Sequence, residues 1–138
     1  MKTINQLQDE LIEEIAPLDD WMDRYEYIID LGQSLEALAP EQHTPDNLIE
    51  GCQSRLWLDA QLVDGRLYYH ADSDAMIVRG IVAMLIGVLN GHTPQEIAEA
   101  DLYFIDSIGL REHLSPTRSN GLLSMLKQMR AYAVAYSV

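Results

Sequence analysis

Thiols, positive charge and uninterrupted apolar sequence are all scarce in this chain, and each shortage closes off a class of function. A single cysteine, Cys52, stands among 138 residues, so no internal disulfide can form. Nothing in the cysteine usage points to an oxidising compartment. One thiol is also too few for an iron–sulfur cluster held by cysteines or for a cysteine-built zinc site. The histidines, His43, His70, His92 and His113, lie in separate segments without metal-ligand spacing, and they read as surface or turn residues. Lys and Arg number nine against 22 Asp and Glu, a formal net charge of −13. Such a chain repels a phosphate backbone, and its cations are scattered, so nucleic acid is not the expected partner. The acidity reads as solubility, or more sharply as docking to a basic protein surface. The longest apolar run, Ala75–Leu89, is interrupted by Arg79 and is shorter than the roughly 20 residues of a membrane span, so it reads as a buried core helix. The opening "MKTINQLQDELIEEIAPL" is charged throughout and has no apolar signal core, which makes a cytoplasmic protein the expectation.

What is present fits one domain over residues 1–138, long enough to bury a core without staples. Ile4, Leu7, Leu11 and Ile15 form a helical stripe that Pro17 ends. Trp21, Tyr25, Ile28 and Ile29 share a face of a second helix, with Gly32 placed to stop it. Residues 38–47 form an irregular connection with two prolines. From Leu56 the period becomes two: Leu56, Leu58, Ala60 and Leu62 face one way, and Asp64-Gly65 follows as a hairpin signal. A two-residue turn there sets Leu62 opposite Leu67, Ala60 opposite Tyr69 and Leu58 opposite Ala71, so the apolar sets meet on one side. Asp59 then stands opposite His70 on the other face, as a surface charge contact. Asp72 or Ser73 offers an N-cap for the apolar helix. "HTPQEI" is a capping box, with Thr93 as cap, Pro94 at the first helical position and Glu96 reaching back. The last helix starts with Ser115 and Pro116 and carries Leu122, Met125, Leu126, Met129 and Ala133 on one stripe. The expected fold class is α+β: a small antiparallel sheet with the hairpin at its centre, packed against several helices.

Cys52 follows Gly51 just before the first strand, at the end of the hairpin opposite its turn and beside the start of the apolar helix. Gly51 lends that stretch freedom to bend. A helix N-terminus lowers a thiol pKa while nearby Asp72 and Asp74 raise it, so the two pull in opposite directions. A packed thiol and a reactive one both stay open on these residues. If it reacts, it does so without a metal. A cysteine hydrolase would need a histidine beside the thiol, and the one neat candidate, His70, belongs to the opposite strand face. Thiol exchange suits a solitary nucleophile: a thiolate can attack the outer sulfur of a persulfide and keep it. With no second cysteine to resolve it, the sulfur must leave on another molecule.

The blocks "GCQSRLWL" at Gly51–Leu58, "DSDAMIVRGIVAML" at Asp72–Leu85 and "HLSPTRSNGLLSML" at His113–Leu126 together resemble the SufE family of sulfur-acceptor proteins. "WMDRYEYIIDLG" at Trp21–Gly32 is similar to that family's N-terminal helical segment. The resemblance spans essentially the whole chain in order. It implies a fold similar to the IscU iron–sulfur scaffold and a role beside a pyridoxal-phosphate cysteine desulfurase of the SufS or CsdA type. Cys52 matches the cysteine that takes the desulfurase's persulfide sulfur and hands it to a scaffold of the SufB type, while acceptor binding speeds the desulfurase. The protein would thus be a carrier and activator rather than a complete enzyme, with no cofactor or metal of its own, as a monomer or a homodimer. Gly51, Gln53, Asp72, Asp74 and Arg118 are the supporting positions. Arg118 would stabilise a thiolate or persulfide, or be a surface arginine in a first helical turn. Gln53 and Ser54 would bond the loop into its closed form or simply start the strand. Asp72 and Asp74 would cap the helix, contact the desulfurase, or both. The competing class is an adaptor that activates the desulfurase allosterically while Cys52 merely packs.

Overall fold

The computed structural model describes residues 2–35, 48–49 and 55–137. Within them run helices α1 (Ile4–Ile15) and α2 (Trp21–Gln33), strands β1 (Leu56–Val63) and β2 (Arg66–Ser73), then α3 (Met76–Leu89), α4 (Pro94–Glu99), α5 (Phe104–Ser107), α6 (Leu110–His113) and α7 (Pro116–Tyr136). The class is α+β, as the alternation of periods implied.

The hairpin has the register that its apolar residues require. Leu58 pairs with Ala71, Ala60 with Tyr69 and Leu62 with Leu67, and pairing runs on to Leu56 opposite Ser73. Asp64 and Gly65 both have positive φ, 52° and 78°, the pair of left-handed residues that a type I′ turn needs. Leu56, Leu58, Ala60, Leu67, Tyr69 and Ala71 are buried, but Leu62 is 41% exposed. Alternation alone places Leu62 with the core set. The Tyr136 hydroxyl donates to the Ala60 carbonyl at 3.4 Å, and α7 ends there, so no helix continues over Leu62.

A two-stranded sheet has two raw edges, and both are covered. On β1, the Leu56, Leu58 and Ala60 carbonyls accept from the Ile49 amide (2.8 Å), the Tyr132 hydroxyl (3.4 Å) and the Tyr136 hydroxyl (3.4 Å). On β2, Asn90 pairs with both backbone groups of Tyr69 (2.8 and 3.2 Å), while Leu67 exchanges bonds with His92 and Gly91. His92 is buried rather than superficial. Its ring nitrogens lie 3.1 Å from the Leu89 carbonyl and 2.9 Å from that of Lys2, which ties the N-terminal segment to the end of α3.

Helix α3 is apolar nearly all round and forms the centre of the core, with Ile81, Val82, Leu85 and Leu89 almost wholly buried. Gly32 does not stop α2, which continues to Gln33. Its function is spacing. A Cβ on Gly32 would sit 2.6 Å from the Gly80 amide nitrogen, and one on Gly80 only 2.1 Å from the Ile28 carbonyl oxygen, so α2 and α3 cross backbone against backbone. Gln8, on the first helix, is fully buried because its side chain bonds the Asp101 carbonyl (2.9 Å) and the Phe104 amide (3.2 Å), joining α1 to the start of α5.

Candidate functional site

Two helix starts are where sequence and structure agree best: Thr93 with Glu96 opens α4, and Ser115 with Pro116 opens α7. The start of α3 differs. Its N-cap is Ala75, with no side-chain cap, so neither Asp72 nor Asp74 caps it. Strand pairing persists to Ser73 and turns both carboxylates to other uses. Asp74 accepts the Arg55 amide at 3.0 Å, and its own amide donates to the Arg55 carbonyl at 3.3 Å. Ser73 Oγ donates to that same carbonyl at 2.6 Å and accepts from the Ala75 amide at 3.2 Å. Asp72 accepts the Ser73 amide and faces Arg79 Nε at 3.7 Å, while Arg79 Nη2 donates to the Leu35 carbonyl at 3.1 Å.

Arg55 is thus fixed to the β2–α3 junction. Ile49 is fixed too, by its bond to Leu56 and the bridge of Leu48 with Trp57. Glu50, Gly51, Cys52, Gln53 and Ser54 lie between these two anchors and outside the described residues, as does His43. The expectations for Gly51, Cys52 and Gln53 therefore rest on the sequence.

Arg118 sits in the first turn of α7, with its amide donating to Ser115 Oγ at 3.3 Å. Its Nη1 is buried and has no hydrogen-bond partner among the described residues. A guanidinium N–H out of water without an acceptor costs free energy, so this position favours an anion. Arg118 as a whole is partly exposed, with this one guanidinium nitrogen turned out of water. The bonds from Tyr132 to Leu58 and from Tyr136 to Ala60 show α7 running in the same sense as β1. Arg118 lies 14 residues before Tyr132, about 21 Å along the axis, which carries the start of α7 toward the end of the hairpin away from its turn.

Asp72 and Asp74 are therefore gathered at one end of the hairpin with Arg55 and Arg79, two residues that sequence patterns do not single out for the site. Arg79 has a signal, a lone cation inside an apolar run. Arg55 has none, because its contribution is made by its backbone. Elsewhere, the Trp21 indole stacks on His113 with centroids 4.0 Å apart. Asp59 and His70 stand opposite each other in register, and Asp59 accepts from the Ala60 amide. Among the described residues no group of three or more His, Cys, Asp or Glu is gathered as a metal site, and no helix is long and apolar enough to cross a membrane.

Residues 9–133 match the SufE family, described as an Fe-S metabolism associated domain. An uncharacterized SufE-like protein of Rhizobium etli is 45% identical over 130 residues, covering 91% of this chain and 88% of the relative. A second, from Rhizobium meliloti, is 40% identical over 91% of this chain and 93% of its own length. A third, from Synechocystis sp., is 38% identical over 93% of this chain and 80% of its own. The solution structure of a hypothetical protein from Thermus thermophilus superposes with a TM-score of 0.78 over 94% of this chain and 95% of that one, at 19% identity, and shares the fold.

Proposed function

The chain belongs to the SufE family and so to Fe–S metabolism, and from that premise we propose that it is a single-domain sulfur carrier in which Cys52 is the transient attachment point. One observation carries the reading. The only thiol falls inside the span that matches the family, between Ile49 and Arg55, two residues held at the open end of the hairpin. Three peptide links separate Cys52 from either anchor, a reach of about 11 Å. The start of α3, with no side-chain cap, and the buried Nη1 of Arg118 at the start of α7 both suit a negatively charged sulfur.

In the proposed step the Cys52 thiolate attacks the outer sulfur of a persulfide on a pyridoxal-phosphate cysteine desulfurase of the SufS or CsdA type. The new S–S bond forms on Cys52 as the old one breaks, and the desulfurase cysteine leaves as its thiolate. No second cysteine exists to expel the cargo, so the sulfur waits for an outside acceptor, an iron–sulfur scaffold of the SufB type. Asp74 supports this by fixing Arg55, and Gly51 and Gln53 are the thiol's neighbours in sequence.

Replacing the thiol tests the reading. Cys52→Ser removes the nucleophile with little change in volume, and the expected result is loss of the stimulation of desulfurase turnover while binding to the desulfurase persists. A Cys52→Ser protein that stimulates as well as the parent would make the chain an adaptor and overturn the carrier reading.

A further inference from the structure

Helix α7 has two working faces. Its inner stripe, Leu122, Met125, Met129 and Ala133, is buried in the core. On its outer side Leu123, Lys127, Arg130 and Val134 follow one another at spacings of four, three and four, which keeps them on one helical face. Leu123 and Val134 are each 52% exposed. This face borders a groove of about 810 Å³ whose floor includes Leu89, Ile97 and Ile105 from the α3–α5 side.

The charge of the groove runs against that of the chain. The whole protein carries −13, yet three of its nine cations, Arg111, Lys127 and Arg130, line this one feature. Asp101 and Asp106 also line it, and Arg111 already pairs with Asp106 at 3.6 Å. Lys127 makes no ion pair among the described residues, and Arg130 gives one bond, to the Ala100 carbonyl at 3.0 Å. An apolar trough with cations on its rim complements a helix that carries apolar anchors at three- and four-residue intervals flanked by carboxylates. From Leu123 to Val134 is about 17 Å, three turns of such a helix.

We propose that the groove between α7 and the α4–α6 side receives an acidic amphipathic helix from a partner protein. A second copy of this chain fits poorly, because two bodies of −13 repel. An acyl chain fits poorly as well, because a trough open along Leu123 and Val134 would leave much of it in water. The groove includes the last residue of α3, about 20 Å along that helix from the Asp74 end, so a helix seated here leaves that end uncovered. The proposal stands whether or not Cys52 carries sulfur.

The test is a fluorescent, helix-stabilised peptide with leucines at positions i, i+3 and i+7 and glutamates between them, titrated with the intact protein. Saturable binding is expected, with amide shifts in the NMR spectrum centred on Leu123, Lys127, Arg130 and Val134. The same peptide with lysine for glutamate should bind at least tenfold more weakly. Lys127→Glu/Arg130→Glu, confirmed as folded by its melting curve, should weaken the acidic peptide at least tenfold. Equal binding of the two peptides, no binding of either, shifts centred on Asp72–Arg79, or an unchanged affinity in the double variant would each overturn the proposal. Binding of dodecanoate without peptide binding would assign the groove to lipid, and concentration-dependent dimerisation blocked by the double variant would assign it to a second copy; either overturns it.

Discussion

The two ends of the hairpin are closed by different chemistry. At the turn end the closure is mostly onto backbone groups: Asp64-Gly65 reverses the chain, Asn90, Gly91 and His92 bond the outer edge of β2, and the Arg66 guanidinium donates to the Gly91 carbonyl at 2.7 Å. At the other end carboxylates take part, with Asp74 accepting the Arg55 amide and Asp72 facing Arg79 Nε, and α7 begins toward that side with the buried Nη1 of Arg118 in its first turn. Satisfied backbone bonds hold one geometry and offer a ligand little. A charged, partly satisfied end can respond to an anion or a partner. The turn end is thus the more fully satisfied of the two, and the other is the one at which Ile49 and Arg55 are held.

Breaking the frame that both ends share should have the largest effect. Gly80→Ala forces a Cβ to within 2.1 Å of the Ile28 carbonyl oxygen, so α2 and α3 must separate. A loss of about 3 kcal/mol or more is expected in urea titration. Gly87→Ala, in the same helix but with nothing near its Cβ, should gain about 0.5–1 kcal/mol instead. If both behave alike, the crossing is not what limits Gly80.

A matched pair compares the ends directly. Asn90→Ala leaves both backbone groups of Tyr69 without their partner and should cost about 1–3 kcal/mol. Asp74→Ala removes one bond to an exposed amide that water can replace, and should cost about 0.5–1 kcal/mol. Similar losses would erase the distinction between a structural end and a functional one.

The smallest effect lies at alkaline pH and away from both ends. Burial and then the Glu14 carboxylate hold the Tyr27 phenol at about 12, and the hydrogen bond to Asp9 followed by burial holds Tyr103 at about 12. In the unfolded chain both titrate near 10. Between about pH 10 and 12 the folded protein keeps protons that the unfolded chain has lost, so stability present below pH 10 falls as pH rises through this window. Tyr27→Phe/Tyr103→Phe should flatten that fall in melts from about pH 9 to 11, and an unchanged slope would assign it to other groups.

Much of the fold is legible in the sequence because its signals are local. Thr93 with Glu96, Ser115 with Pro116, and Asp64-Gly65 each specify geometry within a few residues, and the apolar alternation leaves the hairpin one register. Gly32 is ambiguous because a glycine near a helix end serves equally as a stop or as a close-approach point, and only the facing Gly80 decides between them. Gln8 and His92 are buried through partners on distant segments, Asp101 and Phe104 for one and Lys2 for the other. Asp72 and Asp74 resemble caps because spacing cannot tell that strand pairing reaches Ser73. The burial of the Arg118 Nη1 has no local signal at all, since a first-turn arginine is usually wet.

The most direct test of the carrier reading is the intact mass of the protein after incubation with a cysteine desulfurase and cysteine, followed by mapping of any adduct. The account predicts a gain of one sulfur atom on Cys52, lost on treatment with a thiol reductant and absent from Cys52→Ser. An unmodified mass under conditions in which the desulfurase itself carries a persulfide would contradict it.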